Sequence, residues 1–431
     1  MQNASELHLR EALAVWLKVA FLSFGGPAAQ IGVMQRLIVD EKGWLDQARF
    51  NHALNFCMLL PGPEAQQLAT YIGWLLHGVR GGLLAGIIFI LPGALIMLGL
   101  SLLYVTFGEV GLVEGALFGL KCAVLAIVVQ ALARMAGKVV SGWSGLVLAG
   151  LALIAMFIFG LPFPLIILGS AVAGLMIYGK DSTPADIDTR TPATPRRVPL
   201  AVATAWLLPL VALVVVLGRE SVWTQLAGYF SLVSVLSFGG AYAVLAWVAQ
   251  YAAETRAWID ATEMLDGLGL AETTPGPLIL VTQFVGFLAA WRHDELFHPL
   301  LAGSLGAMLT TWVMFAPSFL WIFLLAPQVE KLRDNARIAG ALRGITAAVV
   351  GIIANLALWF ALRLLFADQH RITAPGLDFA LPVITTIDPW ALALTALAAI
   401  LLFALRLGLL TTVAMMAVIG MALELMIGLH A

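Results

Sequence analysis

Ser23-Phe24-Gly25-Gly26 is followed by Trp44-Leu45-Asp46 and then by Pro61-Gly62-Pro63. The chain repeats this as Ser237-Phe238-Gly239-Gly240, Trp258-Ile259-Asp260 and Pro275-Gly276-Pro277, every element displaced by the same 214 positions. Both copies lie in strongly apolar sequence, where glycine pairs and a Pro-Gly-Pro interrupt helices at membrane depth. Duplicated halves with broken helices at matching positions are the sequence sign of a secondary transporter.

Composition agrees with that class. The chain has 61% hydrophobic and 11% charged residues, where a soluble domain carries roughly 25% charged. An all-α polytopic membrane protein follows, with the lipid bilayer as its solvent. A net charge of −2 points to no nucleic-acid partner. Cys57 and Cys122 sit in apolar stretches without metal-ligand spacing and read as buried thiols. Met1-Gln2-Asn3-Ala4 is not a basic leader, so the first apolar stretch reads as a membrane helix and not as a cleaved signal peptide.

At about 20 apolar residues per span, hydropathy predicts about 13 transmembrane helices. Six fall near 11–36, 47–78, 80–106, 112–134, 143–159 and 161–178. A single span follows near 199–218, and six more near 223–250, 262–291, 299–326, 340–366, 386–404 and 408–429. The polar stretch from Lys180 to Pro199 is the one linker. The expected organisation is a first repeat over 1–179, a linker with one connecting span over 180–221, and a second repeat over 222–431.

The correspondence continues at an offset of 225, in Gly119-Leu120-Lys121 with Gly344-Ile345-Thr346, Pro92 with Pro317, and Gln130 with Asn355. The second copy therefore gains 11 residues, most simply between Arg292 and His298. With the N-terminus inside, fourteen loop Lys and Arg lie inside and seven outside, which favours that orientation. Six spans plus one turn the second half over, so the two halves read as inverted repeats. A re-entrant 47–78 would change this parity.

Pro63 and Pro277 suit the start of a new helix, where a missing N–H costs nothing. Free N–H groups at such a start, backed by the helix dipole, form an anion site. Ser23, Gly25, Gly26, Pro61, Gly62, Pro63, Gln66 and Gln67 line the first break. Ser237, Gly239, Gly240, Thr273, Thr274, Pro275, Gly276 and Pro277 line the second. The competing reading is that small residues only let helices pack closely.

Lys121 lies about nine residues into an apolar span, too deep to snorkel with ease. Either an anionic substrate or Glu114 on the same helix would be its partner. Lys18, nearer a span end, reads as snorkelling. Glu64 and Glu272 flank the breaks, as helix-terminus carboxylates or as proton carriers. No phosphate loop, nucleophile elbow or His-Glu-x-x-His helix occurs. No enzyme, metal or cofactor is expected.

At these residues the chain resembles the long, two-domain members of the chromate ion transporter family. The likeness is carried by Phe21-Leu22-Ser23-Phe24-Gly25-Gly26-Pro27, Leu60-Pro61-Gly62-Pro63-Glu64-Ala65-Gln66-Gln67 and Leu91-Pro92-Gly93-Ala94. In the second half it rests on Ser237-Phe238-Gly239-Gly240, Glu272-Thr273-Thr274-Pro275-Gly276-Pro277, Thr282-Gln283-Phe284-Val285-Gly286-Phe287 and Ala316-Pro317-Ser318-Phe319. The resemblance implies efflux of chromate from the bacterial cytoplasm across the inner membrane, giving chromate resistance, with sulfate as the competing analogue. With the N-terminus cytoplasmic, the C-terminus is expected in the periplasm. Alternating access around one tetrahedral oxyanion is the expected mechanism, and transport of another oxyanion is the alternative. A membrane-embedded enzyme is the rival from another class. Glycine-rich spans pack inside a monomer as readily as between two copies, which leaves a homodimer open.

Overall fold

The computed structural model describes residues 8–139, 142–179, 194–238, 240–328, 336–374 and 377–428. The linker residues 180–193 and Gly239 lie outside the described residues. The chain is a multi-pass membrane protein, with six described helices long and apolar enough to cross a bilayer. It divides into two compact units. One comprises Met1–Ser101, Thr183–Ala241 and Thr274–Asn335, the other Leu102–Ser182, Tyr242–Thr273 and Ala336–Ala431.

The first unit begins with α1 (Leu9–Leu22) and α2 (Gly26–Gln35), the latter running on into a π-helical turn, Arg36–Glu41. Gly25 at φ +86° makes the break between them. The chain then folds back. Lys42 at the far end lies 2.7 Å from Glu11, and Lys18 lies 3.5 Å from Glu41. Along an unbroken helix Glu11 and Lys42 would be about 46 Å apart.

The next segment folds back as well. Asp46 caps α3 (Gln47–Cys57) by accepting from the Arg49 N–H at 2.8 Å, which explains the acid of the Trp-Leu-Asp element. Beyond the Pro-Gly-Pro the chain is helical from Glu64 to Phe107, but His77 (φ −136°) and Gly78 (φ +62°) break this α4 into two helices. The Phe56 and Tyr71 rings lie 5.1 Å apart, whereas fifteen residues of straight helix would separate them by about 22 Å. The helix from Glu64 therefore returns alongside α3. At the His77–Gly78 turn the direction reverses again, and Gly73 meets the next helix so closely that a Cβ there would sit 2.5 Å from the Gly81 carbonyl.

These findings correct the span count. The stretches 11–36 and 47–78 are each a pair of short helices folded on themselves, so neither crosses as one span. Hydropathy registers the apolar length and is blind to the reversal.

The rest of this unit packs α8 (Arg197–Leu217), α9 (Val222–Leu236), α12 (Val281–His293) and α13 (Pro299–Leu325). Trp206 on α8 packs against Ala316 and Leu320 and donates its Nε1–H to Ser231 Oγ at 3.1 Å. The Ser234 hydroxyl donates to the Met314 carbonyl at 2.7 Å.

The second unit is built on α5 (Gly111–Val139), which packs against α11 (Ala261–Thr273), α14 (Ala336–Leu365), α15 (Pro389–Ala399) and α16 (Leu409–Ile427). Gly115 and Gly119 let the α5 backbone touch that of α16 at Gly420 and Met416. α6 (Trp143–Phe157) and α7 (Phe163–Tyr178) flank α14. α10 (Ala241–Gln250) ends in a second π-helical turn, Tyr251–Thr255. α11 opens on a reciprocal cap: Asp260 Oδ1 accepts from the Glu263 N–H at 2.7 Å, and Glu263 Oε2 from the Asp260 N–H at 2.9 Å.

The all-α expectation needs one addition. Between α14 and α15 lies an antiparallel hairpin, β1 (Gln369–Ala374) with β2 (Leu377–Pro382), paired from Gln369 with Pro382 to Ala374 with Leu377. Phe379 packs on Phe157 with ring centres 6.4 Å apart.

Candidate functional site

The two breaks of the sequence pattern meet in the first unit, and they meet crosswise. The Gly62 N–H donates to the Ser237 carbonyl at 2.7 Å, and the Gly276 N–H donates to the Ser23 carbonyl at 2.7 Å. Each Pro-Gly-Pro is thus closed by the Ser-Phe-Gly-Gly of the other half. Gly62 (φ +125°) and Gly276 (φ +106°) both need glycine to turn the N–H that way.

Side-chain amides brace the same breaks. Gln67 Nε2 donates to the Pro61 carbonyl at 2.6 Å, and Gln30 Nε2 donates to the Gly276 carbonyl at 2.6 Å. Gln283 Nε2 donates to the Ala94 carbonyl at 2.8 Å, just past Pro92. The Gln66 amide bonds Thr70 Oγ1 at 3.0 Å, and the Ser23 hydroxyl turns back to the Val19 carbonyl at 2.7 Å. All four glutamines are buried, and their Oε1 atoms accept no hydrogen bond among the described residues.

The breaks also pack against the long helices beside their internal prolines. Pro92 and Pro317 lie inside α4 and α13. Gly93, one residue after the first proline, faces the Pro275 carbonyl so closely that a Cβ there would overlap it. Ser318, one residue after the second, lies beside Gly62. A Cβ on Gly62 would be 2.6 Å from both Ser318 Oγ and Gln67 Nε2.

The geometry revises the anion reading in one respect. The N–H groups of Gly62 and Gly276 are engaged by serine carbonyls and so are not open to an anion in this arrangement. Gly26 (φ +79°), the first residue of α2, and Gly240 (φ +100°) both have positive φ, Pro63 precedes the first helical residue Glu64, and Pro277 precedes the short helix Leu278–Leu280. Thr274 and Ser237 are buried.

Lys121, Glu272 and Thr273 belong to the second unit. Lys121 Nζ lies 3.5 Å from Asp266 Oδ1, with side chains 16% and 6% exposed, so its counter-charge comes from α11 and not from Glu114. The Tyr104 hydroxyl donates to Asp266 Oδ2 at 3.0 Å. Glu272 accepts from the Tyr242 hydroxyl at 2.5 Å, and the Thr273 hydroxyl donates to the Leu270 carbonyl at 2.7 Å. Among the described residues no group of three His, Cys, Asp or Glu gathers to hold a metal. Asp266, Tyr104, Tyr242, Gln30 and Ser318 are absent from the sequence-based site. The one sign of Asp266 is a carboxylate inside an apolar stretch.

The chain matches the chromate transporter family over residues 10–175 and again over 224–421. It is 34% identical over 350 residues to the "Chromate transport protein" of Pseudomonas aeruginosa, covering 80% of this chain and 79% of that one. It is 27% identical over 351 residues to the "Probable chromate transport protein" of Synechococcus elongatus, covering 80% and 83%. The "Uncharacterized transporter YwrA" of Bacillus subtilis aligns at 29% identity over 98% of its own length but only 38% of this chain. No solved structure matches. With two matched segments filling most of its length and a relative above 30% identity, this chain belongs to the chromate transporter family, a family of transporters and not of enzymes.

Proposed function

We propose that the protein exports chromate from the bacterial cytoplasm across the inner membrane by alternating access, and thereby confers chromate resistance. The carrying observation is the reciprocal closure of the breaks, Gly62 to Ser237 and Gly276 to Ser23. Two half-built elements completed by each other give a two-fold related centre, and rocking one half against the other would open it to either side.

We read the halves as inverted repeats over 1–179 and 222–431, joined by 180–221. The order of elements supports this: a break near Ser23 or Ser237, a π-helical turn, a capping Asp46 or Asp260, a Pro-Gly-Pro, then a long helix with a central proline. If 222–255 and 261–293 fold back as the first copy does, nine crossings remain. Five of them precede the second copy, so inversion survives the corrected count, with the termini on opposite sides. This topology carries Arg36, Lys42 and Arg49 to the inner face and Arg256 to the outer one. The fourteen-to-seven division of Lys and Arg becomes sixteen to five, a stronger positive-inside bias.

The substrate-binding set is Ser23, Gly25, Gly26, Pro61, Gly62, Pro63, Gln66, Gln67, Ser237, Gly239, Gly240, Thr273, Thr274, Pro275, Gly276 and Pro277, with Lys121 lending positive charge. A potential of about 150 mV, inside negative, moves a dianion outward with roughly 7 kcal/mol, or about five decades of concentration. Export by potential alone is sufficient, and Glu64 and Glu272 need carry no protons.

The test is chromate uptake into inside-out vesicles with potential and pH gradient set separately. Uptake that follows an inside-positive potential without a pH gradient supports the reading. Uptake that needs a pH gradient makes Glu64 and Glu272 proton carriers. No chromate flux under either condition removes chromate as the substrate, and flux of labelled sulfate under the same gradients then tests the other oxyanion.

A further inference from the structure

Lys121 and Asp266 form a buried ion pair, with side chains 16% and 6% exposed, in which the two carboxylate oxygens have different partners. Their helices are in firm contact one turn further on, where a Cβ on Gly269 would sit 3.1 Å from Leu120 Cβ. The two charged groups nevertheless stand 3.5 Å apart. Asp266 Oδ1, the oxygen facing Lys121, accepts no hydrogen bond, while Oδ2 is held by the Tyr104 hydroxyl at 3.0 Å. One carboxylate oxygen is anchored by Tyr104 and the other faces the ammonium. The neighbouring acids of α11 are engaged elsewhere, Glu263 in the cap with Asp260 and Glu272 with Tyr242.

We propose that Asp266 is a tethered counter-anion: in the empty carrier its carboxylate occupies the place on Lys121 that a tetrahedral dianion takes in the loaded one. This rests on the reading of the protein as an oxyanion carrier. A bare ammonium in a low-dielectric interior is costly, so an anion carrier that returns empty needs something to cover its lysine. A carboxylate fixed to the protein does so at every cycle, and the Tyr104 hydroxyl remains its donor when it is displaced.

The arrangement also selects by valence. A dianion is attracted to Lys121 about twice as strongly as a monoanion at the same distance. A ligand must outcompete the single negative charge of Asp266, so chromate and sulfate displace it where chloride and nitrate do not.

The test compares Asp266→Asn with the parent protein in vesicles, measuring net chromate efflux, chromate–chromate exchange, and inhibition by chloride and nitrate. Removing the tethered charge should lower the KM for chromate about tenfold, the low end of couplings between close charges. It should make chloride and nitrate inhibitory, and slow net efflux while exchange continues, because only net efflux needs the empty carrier to return. Unchanged KM and anion selectivity would overturn the proposal, and so would equal loss of net efflux and exchange in folded protein. Should Asp266→Asn not fold, Tyr104→Phe removes the donor that holds the displaced carboxylate and must raise the KM for chromate; no shift, or a fall, counts against the proposal. A parent protein that moves sulfate but not chromate is tested with sulfate, so the inference can stand while chromate falls as substrate. If neither anion is carried or bound, both readings fall.

Discussion

The Gly62 N–H points at the Ser237 carbonyl across 2.7 Å, and the equivalent donor, Gly276, points at Ser23 across the same distance. Each bond joins residues 175 or 253 positions apart in sequence, and each closes a place where a helix has been deliberately interrupted. A buried carbonyl left without its donor costs about 1–3 kcal/mol, so the four residues stand or fall together.

Alanine at these two glycines should separate strain from crowding. Both have positive φ, which costs alanine about 1–2 kcal/mol. Around Gly276 the nearest atom to a new Cβ is 3.6 Å away, whereas at Gly62 two polar atoms lie at 2.6 Å. Gly276→Ala should lose only the strain, and Gly62→Ala about 1–3 kcal/mol more from overpacking. Thermal unfolding in detergent checks the order; equal losses would show that crowding at Gly62 relaxes freely.

Replacing Gln30 with leucine removes the donor to the Gly276 carbonyl, and Gln67→Leu removes the donor to that of Pro61. Each should destabilise by about 1–3 kcal/mol. The double variant should fall short of the sum if the two breaks form one network. Strict additivity in denaturation would mean the breaks are braced independently.

The residues that follow Pro92 and Pro317 predict an asymmetry between the halves. Gly93→Ala places a Cβ on the Pro275 carbonyl, and folded, active protein should be lost. Ser318→Gly should cost only about 1 kcal/mol, the price of glycine in a helix interior. Chromate flux and monodispersity on gel filtration report both, and an active Gly93→Ala would mean that the Pro275 loop shifts aside.

Neutralising the acids beside the breaks tests the energy source. Glu64→Gln and Glu272→Gln should keep potential-driven chromate flux within about threefold, since the potential alone supplies the driving force. Tyr242→Phe removes the donor to Glu272, whereas Glu272→Gln keeps an acceptor oxygen there; both should leave potential-driven flux in the same range. Loss of flux only when a pH gradient is the sole driving force would assign the proton to that acid.

The breaks were legible in the sequence because glycine and proline act locally: a Pro-Gly-Pro in apolar sequence interrupts a helix wherever it lies. Asp46 and Asp260 stood out only as members of the repeated Trp-x-Asp element; that each caps the following helix is visible only in the structure. The reversals at Ser23 and Pro61 were not legible. A hydropathy window counts apolar residues, and a folded-back pair of 14- and 10-residue helices yields the same count as one long span. The partner of Lys121 was hidden for a related reason. Sequence exposes neighbours on the same helix, Glu114 among them, whereas Asp266 comes from 145 positions away and only packing brings α11 against α5.

Crosswise closure also limits how the chain can be divided. Cut between the two breaks, one piece keeps the donor of Gly62 and the acceptor of Ser23, the other the donor of Gly276 and the acceptor of Ser237. Each piece then holds a donor and an acceptor whose partners have left with the other, so supplying the two pieces together is the condition for restoring either break.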